Sequence, residues 1–170
     1  MQLTVLTDPH PVLRTPTVLI DPADIPNLTP LIQDMFETLK RSGGVGLAAP
    51  QVGENKSLFV VQVEGQRQVF INPVILAADQ HTDAQPEGCL SLPGLILKVP
   101  RSTKIKVMFR DASSEQHITD LQDAWARIFL HEFDHLQGIM IDDRVGPVSL
   151  DLAKRKMAKQ QRKQRRQVMA

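Results

Sequence analysis

Residues 126–138, ARIFLHEFDHLQG, carry two histidines four positions apart with a glutamate directly after the first. On a helix, residues i and i+4 lie one above the other. His131 and His135 can therefore offer two imidazole nitrogens to one metal ion. Glu132 lies about 100° round the helix, beside such a site but off the line of the two ligands, where it can handle protons. The same spacing serves zinc proteases, so the pattern alone does not say which amide is cut. The competing reading, a surface helix with two unrelated histidines, sits poorly with the apolar residues around the motif.

A catalytic metal needs a third protein ligand and an open fourth position. Downstream of His135 there is no further histidine or glutamate, and the oxygen candidates are Asp142, Asp143 and Asp151. That counts against a protease of the zincin type. Upstream, EGCLSLPG (87–94) holds Cys89, the one cysteine of the chain. A thiolate and two imidazoles make three ligands and leave the fourth position open. A lone cysteine also suits a small buried residue or a nucleophile served by one of the histidines. The two-histidine spacing favours the metal. The remaining histidines, His10, His81 and His117, show no comparable partners and read as ordinary polar residues.

A third stretch, GGVGLAAPQVG (43–53), is small and uncharged. Exposed amides between small side chains suit an extended peptide bound by strand-like hydrogen bonds. A tight turn between helix and strand that needs positive φ would look the same. It is not a phosphate loop, because the G-K-[ST] ending is missing.

These stretches need elements to hold them. Five prolines in the first 26 residues forbid a long helix there. Leu28, Leu31, Ile32, Met35, Phe36 and Leu39 recur on one helical face, with Gly43 and Gly44 as the stop. Residues 57–63, 68–76 and 104–110 read as strands, with a further short one at QHITDL. Residues 77–88 read as a polar loop. The motif helix should run from about Leu121 to Gln137, with Trp125, Phe129, Phe133 and Leu136 as its core stripe. A last basic helix should begin near Ser149, acting as N-cap, with Asp151 in its first turn. The expected fold is α+β, with antiparallel strands packed around a central metal-binding helix and a basic C-terminal helix. Residues 1–150 should form the catalytic domain and 151–170 the basic helix of that same single domain.

The chain of 170 residues is 42% hydrophobic, enough for a packed core and too much for a disordered chain. With no Tyr, one Trp and six Phe, that core should be mostly aliphatic. The net charge of +1 is unevenly spread. Residues 1–150 hold 12 basic against 18 acidic side chains, a net of −6, and residues 151–170 hold 8 against Asp151 alone, a net of +7. A basic tail on an acidic body suggests a polyanionic partner, with a solvated surface helix as the plain alternative. One cysteine excludes an internal disulfide and fits a reducing, cytoplasmic setting. The start lacks a signal-peptide pattern, and no apolar run approaches the length that spans a membrane.

Together GVGLAAPQ, EGCLSLP and HEFDH resemble the three motifs of the peptide deformylases, in family order, with DPHPVLR near the start and FINP at 70–73 extending the likeness over nearly the whole chain. The resemblance implies an iron(II) enzyme that removes formyl from N-formylmethionyl nascent peptides, with zinc or nickel as other possible occupants. By matching position it implies that Cys89, His131 and His135 bind the metal and that Glu132 is general base and acid. Gln51 and the Leu90 backbone N–H would face the formyl oxygen. Val45, Gly46 and Gly88 would pair with the substrate backbone, and Val45, Ala124 and Ile128 would help line a methionine pocket. The family likeness also suggests a monomer whose basic helix meets ribosomal RNA near the peptide exit site. Asp123 and Trp125 depart from the pattern, standing where relatives carry Gly and an aliphatic residue, so packing or pocket shape should differ there. Two other readings stand beside this one, a zinc-type metalloprotease and a catalytically silent ribosome-associated protein.

Overall fold

The structure, a computed structural model, describes residues 1–168. The proline-rich start forms short 3-10 turns at Pro11–Arg14 and Pro22–Leu28, followed by α1 (Thr29–Ser42). Gly43 ends α1 at φ 70°, the left-handed value that glycine adopts without strain. Seven strands follow: β1 (Gly46–Ala48), β2 (Leu58–Val63), β3 (Gln66–Ala78), β4 (Thr82–Cys89), β5 (Leu92–Ser102), β6 (Lys104–Arg110) and β7 (Gln116–Gln122). Then come α2 (Asp123–Leu136) and α3 (Pro147–Val168). The fold is α+β. Five strands make one antiparallel sheet in the order β1-β2-β3-β6-β7, and β4 and β5 form a separate two-stranded ribbon.

The run LFVV in β2 is continuous in sequence because β2 is covered on both faces. Leu58 and Val60 turn toward α1, where they join Ile32, Met35 and Leu39. Phe59 and Val61 turn the other way, toward Ala126, Phe129 and Leu136 of α2. Successive strand side chains point to opposite faces, so one strand serves two cores. The α1 core is largely aliphatic, as expected. The α2 core is not: Phe59, Phe70, Phe109 and Phe129 are mutually packed, with ring centroids 4.5–5.2 Å apart. Few aromatics are present, but most are spent in one place. Removing one such ring costs about 3–5 kcal/mol, so this cluster fixes α2 on the sheet.

A third core lies between the ribbon and the C-terminal part of the chain. Leu95, Leu97 and Val99 of β5 pack with Leu13, Met140 and Ile141, and Leu150, Ala153 and Met157 of α3 close over them. Consequently α2 is held between the five-stranded sheet on one side and the β4–β5 ribbon on the other.

Several expectations need correction. Residues 82–89 are a strand rather than loop, and β5 was not anticipated. Most of β4 faces solvent, which hides its alternation. The ladder from Thr82↔Ser102 to Gly88↔Ile96 supplies the order instead. The final helix starts at Pro147 rather than at Ser149, and its first turn holds no acidic residue. Proline suits that first position because its missing N–H is unpaired in any helix. On α2, Phe129 and Leu136 are buried as expected, while Trp125 and Phe133 are half-buried, and Glu132, Asp134 and His135 are buried too.

Candidate metal centre

Cys89 ends β4, and the ribbon places it against the C-terminal half of α2. One ligand atom from each of Cys89, His131 and His135 lies within 4.8 Å of the other two. Cys89 Sγ stands 3.2 Å from His135 Nε2. His131 Nδ1 is 3.0 Å from Glu87 Oε2, which leaves its Nε2 for the ligand position. A carboxylate behind a ligating histidine fixes the ring and raises its basicity.

Glu87 is itself clamped. Arg101 donates from Nε to Oε1 at 3.0 Å and from Nη2 to Oε2 at 2.9 Å, and Arg127 Nη1 donates to Oε1 at 2.8 Å. Arg101 also donates to Asp134 Oδ2 at 2.6 Å. Asp134 in turn accepts from Arg144 Nε at 2.9 Å. Arg101, Glu87 and Asp134 are all nearly inaccessible to solvent. Breaking a buried pair by removing one partner costs about 3–5 kcal/mol, because the other charge stays behind. This ion network bolts the ribbon to α2 and so sets the distance between Cys89 and the two histidines.

Burial resists charge on Glu87, yet its bonds from His131 and Arg101 hold the carboxyl down at about 2. Burial likewise resists a charged His131, but its bonds to Cys89 and Glu87 push the imidazole up to about 10. The site therefore strongly favours a cation among its donors. A divalent ion held by Cys89, His131 and His135 would meet that demand in place of the proton. His135, by contrast, is driven well below its usual value by burial and by the charge on His131. It stays a neutral imidazole, the form that ligates.

Glu132 is buried, and this burial pushes its carboxyl up to about 7. Among the described residues its Oε2 has no hydrogen-bond partner, and neither does His135 Nδ1. Gly46 explains part of that enclosure. A Cβ there would sit 2.7 Å from Glu132 Cδ, so only glycine lets β1 pass so close to the carboxylate. Gln51 lies in the turn Ala49–Val52 and is 2% exposed. Its Oε1 accepts from Ala48 N at 2.9 Å, and this orients the amide. Its Nε2 then faces the site, 3.6 Å from Cys89 Sγ and 3.2 Å from Ser91 Oγ.

A cavity of about 520 Å³ opens on this group. Val45, Gly46, Gln51, Gly88, Cys89, Leu90, Ile128, His131 and Glu132, all expected at the site, line it. His135 lies buried behind it. Ala124 is the exception. It faces a neighbouring hollow on the far side of Arg127 and does not reach this cavity. The downstream aspartates are also elsewhere, since Asp142 and Asp143 pair with Arg14 at 3.0 and 2.7 Å. Asp123 stands at φ 49°, a left-handed value that favours glycine. Trp125 packs toward the sheet beside Phe70 and Phe109 and leaves the cavity untouched. Sequence reasoning did not single out Glu87, Ser91, Arg101, Arg127 or Asp134. Glu87 and Ser91 carried a signal through their places beside Cys89 in the second motif, and Asp134 through its place inside HEFDH, whereas Arg101 and Arg127 lie outside the motifs.

Residues 2–150 match the family model for polypeptide deformylase. A peptide deformylase of Stenotrophomonas maltophilia (strain R551-3) is 37% identical over 165 residues, 94% of this chain and 96% of the relative. The crystal structure of peptide deformylase from Thermotoga maritima superposes with a TM-score of 0.83 at 39% identity, covering 86% of this chain and 99% of that one. A peptide deformylase from Synechococcus elongatus, solved in complex with actinonin, gives 0.85 at 35% identity, covering 92% and 86%. With three motifs gathered on one cavity and the match running through nearly its full length, the chain belongs to the polypeptide deformylase family.

Proposed function

We propose that the protein hydrolyses the formamide bond of N-formylmethionyl peptides. Water adds to the formyl carbon, the C–N bond breaks, and formate and a free amino terminus result. The observation that carries this reading is the juxtaposition of Cys89, His131 and His135 within 4.8 Å beside a buried carboxylate, Glu132, that has an unpaired oxygen. Cys89, His131 and His135 would hold a divalent ion, whose Lewis acidity would make water a usable nucleophile near neutral pH.

The chain's own groups do the rest. Glu132, raised to about 7 by burial, is matched to taking a proton from water and passing it to the leaving amine, since a catalytic pKa near the working pH serves both transfers. Gln51 Nε2, oriented by Ala48 N, and the Leu90 N–H are the donors for the oxygen that becomes anionic. One preplaced donor of this kind is worth about 3–4 kcal/mol. Val45, Gly46 and Gly88 line the cavity where an extended peptide would pair, and Val45 and Ile128 offer apolar surface to its first side chain. Formyl carries only hydrogen where a peptide carbonyl carries Cα, which suits a site walled closely by Gly46 and Leu90.

The thiolate makes the ion less electrophilic than three imidazoles would and suits soft-to-borderline metals. On this reading Fe(II) is the working ion, with zinc or nickel acquired on purification. The basic helix fits a polyanionic surface such as ribosomal RNA. Lys154, Arg155, Lys156, Lys159, Arg162 and Lys163 are exposed, while Ala153 and Met157 anchor the inner face. The enzyme would then act as a cytoplasmic monomer on nascent chains. Anaerobic purification with iron, metal analysis and a formate assay on formyl-Met-Ala-Ser test the central claim. One metal per chain and steady formate release are expected. Folded, metal-loaded protein that releases none would refute it.

A further inference from the structure

Two hollows meet at α2, where Arg127 and Pro86 form the wall between them. The cavity beside Cys89 and Glu132, of about 520 Å³, includes Pro86, Arg127 and Ile128 in its wall. A second hollow of about 450 Å³ is lined by Asp83, Gln85, Ser102, Thr103 and Ala124. Pro86 and Arg127 belong to both.

Arg127 is held across the gap like a bar. Its Nη1 donates to Glu87 Oε1 at 2.8 Å and to Val99 O at 2.9 Å, and its Nη2 donates to Asp83 O at 2.7 Å. Three anchors on β4 and β5 thus fix a guanidinium that starts from α2, and the side chain is only 18% exposed. Glu87 does not depend on it for neutralisation, because Arg101 and His131 already bond both of its oxygens. The position of Arg127 therefore calls for a reason other than charge balance.

The path of a bound peptide supplies one. β1 is the edge strand of its sheet, and Gly46 of β1 and Gly88 of β4 both face the cavity. An extended chain laid between them alternates its side chains between the interior and solvent. With the formyl group at Gln51 and Glu132, an inward first side chain runs along α2 from His131 toward its N-terminus. It passes Ile128 and meets Arg127, one helical turn of about 5.4 Å before His131. That is roughly the reach of a methionine side chain.

Resting on the deformylase reading, we propose that Arg127 is a specificity-determining residue. Its anchored guanidinium ends the subsite for the first side chain, admits methionine and turns away longer chains that would otherwise enter the second hollow.

The test uses full-length, metal-loaded protein and two substrates, formyl-Met-Ala-Ser and the same peptide with 2-aminooctanoic acid in place of Met. Wild type should favour the Met peptide by at least tenfold in kcat/KM. Arg127→Ala, which joins the two hollows, should shift that ratio at least tenfold toward the longer side chain, mainly through KM. Adding Ala124→Trp to that variant refills the opened space from the far side and should reverse the gain. If Arg127→Ala does not fold, Arg127→Leu, which shortens the bar while keeping apolar bulk, carries the same expectation. An unchanged ratio, or an equal loss on both peptides, overturns the proposal and leaves deformylation intact. No formate from either peptide with wild type overturns the deformylase reading, and this proposal with it.

Discussion

Among the described residues, two clusters bring three metal-capable donors together, and they differ in nearly everything else. Cys89, His131 and His135 lie within 4.8 Å of one another, and so do Asp111, Glu115 and His117. The first set joins a strand end to two helix residues over 40 positions away, and two of its three members are buried. The second sits at one hairpin, Asp111 and Glu115 in the turn between β6 and β7 and His117 at the start of β7, with Glu115 exposed. The decisive contrast is in hydrogen bonding. Asp111 Oδ1 already accepts from Ser113 N, Ser113 Oγ and Glu115 N at 2.7–3.0 Å, and its Oδ2 is 2.7 Å from His117 Nε2. Its capacity is spent bracing the turn. At the first cluster, Glu132 Oε2 is buried and unspent, and a carboxylate stands behind His131 rather than in its ligand position. Closeness of donors is common on a surface. Donors held apart from their own neighbours by burial and clamping are what a metal can use.

The largest effect that sharpens this contrast lies at Glu132. Glu132→Gln keeps the shape and removes the proton carrier. Formate release should fall by about 10²–10⁴-fold, the usual worth of a positioned acid–base, while metal content stays at one per chain. Loss of the metal together with activity would mean that Glu132 holds the site instead of serving the reaction.

Next comes the clamp. Glu87→Gln retains an acceptor for His131 but abandons the charge that answers Arg101 and Arg127. Metal affinity should drop by about 10–100-fold, as for other groups behind a ligating histidine. Titration with a chelator reads this directly. Asp111→Asn, the matching change in the other cluster, should leave metal content unaltered. Equal losses in both variants would erase the distinction between the two clusters.

Much of the site was legible because its chemistry is local in sequence. The i, i+4 histidines needed only helix geometry, and the lone cysteine stood out by scarcity. α1 and β2 were visible because burial on one face or on both prints an apolar pattern. The ribbon was not visible. β4 reads TDAQPEGC, mostly facing water, and its order comes from a ladder to β5 that no single segment encodes. The network around Arg101 was hidden for a related reason. Arg101, Glu87 and Asp134 look like surface residues singly and become buried only where ribbon and helix meet. Ala124 was misplaced because Arg127, three positions on, intrudes between it and the cavity. His117 read as an ordinary polar residue, and its partner Asp111 is six positions away across a turn.

The smallest effect concerns that turn. What burial Asp111 has works against its charge, but its bonds from Ser113, His117 and Glu115 hold the carboxyl down at about 2, against an ordinary 3.8. A carboxyl with a depressed folded value stabilises the fold fully above its unfolded value and loses that contribution as pH falls toward the folded one. Between about pH 4 and pH 2 the β6–β7 turn should therefore loosen, and the Ser113 and Glu115 amides should exchange faster with solvent. Asp111→Asn should abolish this acid response, since the group that titrates is gone. Ser113 and Glu115 amides that exchange equally fast in both proteins across that range would show that Asp111 does not brace the hairpin. In that event the second cluster would have donors to spare, and the contrast with the first would rest on burial alone.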